Sequence, residues 1–120
     1  MAEQIGVLVR HEDPFVIIEV TGEIDIDTAP QLRDAVNTAA DNGADRLVFD
    51  LSGVTFVDSI GLSVFVLARK KMLLRQGSVH VVATTRRVVA IFKIAGLEEL
   101  FRVRPSLAVV MAEQDPAEPA

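Results

Sequence analysis

Phe56-Val57-Asp58-Ser59-Ile60-Gly61-Leu62 stands at the middle of the chain, where a strand pattern gives way to a helical one. Ahead of it, Leu47-Val48-Phe49-Asp50-Leu51 is rich in residues that suit a buried strand, and Ser52-Gly53 reads as a short turn. Behind it, the chain runs from Ile60 to Gln76 without proline. Ser59 therefore falls at the N-cap of a helix, where a short hydroxyl satisfies an orphan backbone N–H. Asp58 sets a carboxylate beside that hydroxyl. Gly61 leaves one turn bare, so that another backbone or a nucleotide can approach closely.

Upstream, Ile5, Val7 and Val9 alternate as a first strand, His11 to Pro14 turn, and Phe15 to Val20 form a second strand. Val16, Ile18 and Val20 share one face of it, with Glu19 and Thr21 on the other. A link this short joins antiparallel neighbours. The loop Gly22 to Asp27 carries Glu23, Asp25 and Asp27, and burial of Ile24 and Ile26 is expected to pin it down. Thr28 opens a helix, with Gln31 as its capping-box partner and Pro30 in the first turn. Leu32, Val36 and Ala39 repeat at helical spacing until Asn42-Gly43.

Downstream, the helix from Ile60 is apolar for two turns and then basic at Arg69, Lys70, Lys71 and Arg75, which suits its C-terminal end. Phe65, Val66 and Leu67 are assigned to the core, Ile60 and Ser63 to an interface. Val79 to Ala83 form a fourth strand, Thr85 caps a third helix ending at Gly96, Leu100 to Val103 form a fifth strand, and Ser106 to Met111 a short helix. The acidic, proline-containing tail 113–120 has little to bury and is expected to be disordered, leaving one folded domain over residues 1–112.

Strands and helices alternating in this way predict an α/β fold, a mixed sheet of about five strands flanked by about four helices, with an antiparallel hairpin at its start. Loops that follow the C-terminal ends of parallel strands gather on one edge, where sites form. That edge collects the Gly22–Asp27 loop, the Asp58-Ser59 turn and the turn from Thr84 through Arg86 and Arg87. Two cations in the first turn of a helix oppose its dipole, so local structure gives no reason for them there.

A chain of 120 residues, half of them hydrophobic, is long enough for one domain with a core. The absence of cysteine excludes a disulfide framework, a thiolate zinc site and a thiol switch. A net charge of −5 and an aromatic content of 5%, all phenylalanine, argue against nucleic-acid binding. The first residues lack a basic region and an apolar signal segment, and the apolar run from Leu62 to Ala68 is too short to span a bilayer. A cytoplasmic protein with no membrane partner is expected. The chain is not read as an enzyme. Ser59 has no base in sight, because His11 lies in a hairpin turn and His80 inside a strand, where a satisfied ring is expected. No nucleophile elbow, Walker sequence or metal-ligand spacing occurs.

Asp58-Ser59-Ile60-Gly61-Leu62 closely resembles the phosphorylation motif of anti-sigma factor antagonists, the bacterial branch of the STAS domain family. Thr21-Gly22-Glu23-Ile24-Asp25 looks like that family's Gly-Glu-Leu/Ile-Asp loop, and Ile94-Ala95-Gly96-Leu97 resembles its small-residue–Gly–Leu helix ending. The likeness covers nearly the whole chain. It implies a STAS fold and a protein that, unmodified, binds an anti-sigma factor serine kinase and so frees a sigma factor. The kinase would phosphorylate Ser59 and dissolve the complex, and a serine phosphatase would restore it. ATP and Mg²⁺ belong to the kinase in this cycle, and the chain has no cofactor of its own. Gly22, Glu23 and Asp25 are the partner contacts the resemblance implies; Asp27, Asp58, Ile60, Gly61, Ser63, Arg86 and Arg87 join them on the shared edge. A monomer is expected. Two positions depart from the family: a second hydroxyl is common where Ile60 stands, and a glycine where Ser63 stands. The rival reading is a STAS scaffold or transporter-associated regulatory protein whose serine is never modified.

Overall fold

The computed structural model describes residues 5–113. Most of the tail for which disorder is expected, 114–120, lies outside these residues; Glu113 itself closes the last helix. The elements run β1 (Gly6–Glu12), β2 (Phe15–Ile24), α1 (Ala29–Asp41), β3 (Arg46–Val57), α2 (Ser59–Leu73), β4 (Ser78–Val82), α3 (Arg86–Ile94) and α4 (Leu107–Glu113). The sheet order is β1-β2-β3-β4, with β1 antiparallel to β2 and the other pairs parallel. This is the mixed α/β architecture the alternation predicts.

Both faces of the sheet are covered. Ile18, Val20, Leu47, Phe49, Leu51, Val79 and Val81 share a core with Leu32 and Val36 of α1, Val64, Phe65 and Ala68 of α2, and Val88 and Phe92 of α3. Edge-to-face packing of Phe49 on Phe65, with ring centroids 4.8 Å apart, joins sheet to α2, and Phe92 and Phe101 extend the aromatic row. On the opposite face Phe15, Ile17, Val48 and Val82 are closed off by Val110 of α4.

Three local expectations are corrected. Ser52-Gly53 is no turn: β3 continues to Val57, and a Cβ on Gly53 would lie 2.7 Å from Thr21 Cγ2. The glycine marks a close approach across the β2–β3 ladder, which a propensity reading cannot tell from a turn. Leu100 to Val103 form turns, not a fifth strand. Arg102 has φ +47°, which ends extended backbone, and among the described residues β4's outer edge meets only an isolated Val82–Arg104 bridge and the Phe101 carbonyl, which accepts the Val81 N–H at 3.1 Å. Gln31 does not complete a capping box, since its amide donates to the Ile5 carbonyl at 3.1 Å and so ties α1 to the start of β1.

Candidate functional site

β2 and β3 finish level, with Glu23 opposite Phe56 and Ile24 opposite Val57, and the Asp58 N–H donates to the Ile24 carbonyl at 3.1 Å. The backbone is still extended at Asp58 (φ −99°, ψ −176°) and becomes helical at Ser59. Asp58, not Ser59, is therefore the N-cap: its Oδ1 accepts the Gly61 N–H at 2.8 Å, and its carbonyl accepts the Leu62 N–H at 2.9 Å. The sequence reading put the cap one residue late because both side chains suit the position. Ser59 becomes the first helical residue, exposed, with its hydroxyl in no hydrogen bond to another described residue.

The acidic loop is fixed from within. Gly22 takes φ +102° as β2 shifts register between Gly22 and Glu23. Thr28, buried, donates its hydroxyl to the Glu23 carbonyl at 2.7 Å and accepts the Asp25 N–H at 2.9 Å. Asp25 Oδ1 accepts the Asp27 and Thr28 N–H groups at 2.9 and 3.2 Å, an Asx turn that occupies its carboxylate. Glu23 and Asp27 remain exposed. Ile24 is fully buried, but Ile26 is 65% exposed, against the expectation that both pin the loop. The turn that Asp25 closes sends residue 26 outward.

Ile60 and Ser63 of α2, assigned to an interface, are exposed, and Leu67 extends them into a stripe. Ile60 is 41% exposed and Leu67 is 40% exposed, with exposed Ser63 between them at helical spacing. Phe65 is buried as expected and Val66 half-buried, so only Leu67 of the three leaves the core assignment. Ile26 and Leu67 are the residues that sequence reasoning missed. The i, i+3, i+7 spacing of Ile60, Ser63 and Leu67 was the available signal. Gly61 faces the other way: a Cβ there would meet Ile24 Cγ2 at 2.6 Å, the Ile24 carbonyl oxygen at 2.9 Å and Val57 Cγ1 at 3.1 Å. The close approach that Gly61 permits is by the chain's own β2.

α3 begins on the same edge. Thr85 precedes it without capping it, its hydroxyl donating instead to the Val54 carbonyl of β3 at 3.2 Å. Arg86 and Arg87 are exposed in the first turn, and neither forms an ion pair among the described residues. The edge thus gathers Ser59, the Glu23–Asp27 loop and the two arginines, as parallel topology predicts.

His80 lies on β4, 3% exposed, its ring edge-on to Phe15 at 6.0 Å. Burial, reinforced by the Arg102 and Arg104 charges, lowers its pKa to about 4, so it is neutral at pH 7. Its Nε2 is buried without a partner, contrary to the satisfied ring expected from sequence. Among the described residues no cluster of His, Asp or Glu is placed to hold a metal ion, and no helix is long and apolar enough to cross a membrane.

Comparison with known proteins gives a consistent result. A family model described as STAS domain matches residues 7–110. The anti-sigma-B factor antagonist of Bacillus subtilis is 33% identical over 99 residues, which span 82% of this chain and 90% of that protein. The crystal structure of an anti-sigma factor antagonist from Mycobacterium paratuberculosis superposes with a TM-score of 0.83 at 31% identity, covering 91% of this chain and 92% of the other. The unphosphorylated form of the anti-sigma factor antagonist SpoIIAA shares the fold, with a TM-score of 0.78 at 17% identity over 94% of this chain and all of that one.

Proposed function

The chain belongs to the STAS domain family, and from that premise we propose that it is an anti-sigma factor antagonist switched by phosphorylation of Ser59. Unmodified, it binds an anti-sigma factor serine kinase and frees a sigma factor. The kinase supplies ATP and Mg²⁺, phosphorylates Ser59 and releases the chain, and a serine phosphatase resets it. The chain itself performs no chemistry.

The observation that carries this reading is the state of Ser59: exposed, unengaged, at the first position of α2, beside a carboxylate that already caps the helix. A structural serine would be spent on the cap. This one is free for a kinase. Around it, Ile26, Ile60 and Leu67 offer an apolar surface for a partner to cover, and Glu23, Asp27, Arg86 and Arg87 a charged rim that sets orientation. Asp25, Gly22 and Gly61 support this surface from below, holding the loop and the helix start that present it.

Incubation with an extract of the host cells and Mg-ATP, followed by peptide mass analysis, tests the proposal. Phosphate is expected on Ser59 and is lost in Ser59→Ala, whose circular dichroism matches wild type. Labelling of Ser52, Ser63 or a threonine in that variant refutes the assignment, and an unlabelled Ser59 favours the non-switching scaffold.

A further inference from the structure

At the other end of the sheet lies a cavity of about 350 Å³, bordered by the start of β3, the end of α2, the start of β4 and the turn after α3. β3 is 12 residues long, so its start is roughly 35 Å of extended chain from the Ser59 edge. Three guanidinium groups line the cavity: Arg46, Arg69 and Arg102. No acidic residue is among the described residues that line it, and none of the three arginines forms an ion pair with a described residue. In a chain with a net charge of −5, three uncompensated cations around one cavity form a local field that attracts anions.

Two further features belong to the cavity's lining. His80 borders the same cavity, is 97% buried by its 3% exposure, and leaves Nε2 without a protein partner. A buried polar atom left unpaired is costly. The only described non-glycine residues with positive φ, Gln76 (+60°) and Arg102 (+47°), both line this cavity. Both close helical turns, with the Gly77 N–H donating to the Met72 carbonyl at 2.8 Å and the Val103 N–H to the Glu98 carbonyl at 3.1 Å, and these closures set Gln76 and Arg102 on the cavity wall. Ser78 adds a hydroxyl.

We propose that this cavity binds a small phosphate-bearing anion, with Arg46, Arg69 and Arg102 donating to its oxygens. Guanidinium forks match phosphate geometry bidentately, and three of them suit a multiply charged phosphate or pyrophosphate group better than a single carboxylate. A free phosphorylated metabolite and a phospholipid headgroup present the same chemistry. The site shares no residue with the Ser59 surface and does not depend on the function proposed above.

Titration calorimetry with inorganic pyrophosphate at physiological ionic strength tests the site, alongside cosedimentation with phosphatidic acid vesicles against neutral phosphatidylcholine vesicles. Saturable binding is expected in at least one arm, weakened about tenfold or more in Arg69→Gln/Arg102→Gln. Arg33→Gln, which removes a charge from the exposed side of α1, should leave it unchanged. If circular dichroism shows that double variant misfolded, Arg46→Gln at the exposed strand start replaces it and should weaken binding likewise. Binding of pyrophosphate alone identifies a soluble ligand, and binding of phosphatidic acid vesicles alone identifies a headgroup. Absence of binding in both arms, binding that survives loss of the arginines, or an equal loss in Arg33→Gln overturns the proposal.

Discussion

Replacing Gly61 by alanine separates two roles that a glycine beside a modification site can have. If Gly61 only keeps the helix surface bare for a partner, alanine raises stability, because alanine is favoured over glycine in a helix by up to about 1 kcal/mol. The structure gives the opposite sign. The added methyl would lie 2.6 Å from Ile24 Cγ2, 2.9 Å from the Ile24 carbonyl oxygen and 3.1 Å from Val57 Cγ1. Ile24 is fully buried and its carbonyl accepts the Asp58 N–H, so neither the side chain nor the backbone yields freely. Overpacking of this kind costs about 1–3 kcal/mol. Three contacts with two constrained residues belong in the upper part of that range, so a net loss of about 1–2 kcal/mol is expected after the propensity gain. In a chain of this length that lowers Tm by roughly 4 °C per kcal/mol. Urea and thermal unfolding of the purified protein provide the measurement. A Gly61→Ala variant as stable as wild type or more so would falsify the packing argument and return Gly61 to the partner surface alone.

Ser59→Asp is expected to keep its circular dichroism and to bind the kinase about a hundredfold more weakly, since a charge tolerated at a helix N-terminus is costly when an interface desolvates it; equal affinities by titration calorimetry would place Ser59 outside the interface. Arg86→Glu/Arg87→Glu should reduce kinase binding while changing stability by less than about 1 kcal/mol, as for exposed positions; unaltered binding makes the pair ordinary surface. For His80, the unfolded chain takes up a proton below pH 6.5, whereas the folded ring stays neutral down to about pH 4, held there by burial and by Arg102, Arg104 and Arg46 against Glu113. Stability therefore falls with pH through that window, by about 1.4 kcal/mol per pH unit and about 3 kcal/mol in all. His80→Phe should flatten this part of the urea-derived profile, and an unchanged slope refutes the assignment.

The fold was legible because burial writes a period into the sequence. β2, β3 and β4 show the apolar runs of strands covered on both faces, and α1 and α3 show single apolar faces. The errors lie where two physical causes leave the same residue. Gly53 serves close approach to Thr21 and reads as a turn; Leu100 to Val103 are apolar enough for a strand, but Arg102 turns the backbone out of it. At the candidate site, topology brought the three loops to one edge, and that much followed from the order of elements. Which carboxylate faces outward did not. Asp25 and Asp27 look alike in sequence, and only the Asx turn built around Thr28 shows that one is occupied and the other exposed. His80 was placed rightly inside a strand, but its unpaired Nε2 could not be read, since a buried side chain's hydrogen bonds depend on tertiary neighbours.

How the fold would accommodate a phosphate on Ser59 follows from the backbone donors at the start of α2. A helix begins with four N–H groups that lack intrahelical partners. Here the Asp58 N–H is taken by the Ile24 carbonyl, and the Gly61 N–H by the Asp58 side chain. The two that remain belong to Ser59 and Ile60. A phosphoryl group on Ser59 would stand at the positive end of the dipole beside these two free donors, so it need not displace the Asp58 cap. The modified chain then keeps its fold and carries about −1.5 to −2 further charges on the edge where Glu23 and Asp27 already stand exposed. A partner that covers Ile60 and Leu67 must dehydrate that charge, and no described cation on α2's first two turns is there to neutralise it. Because Asp58 rather than Ser59 caps the helix, the serine is free to change its charge without changing the structure that presents it.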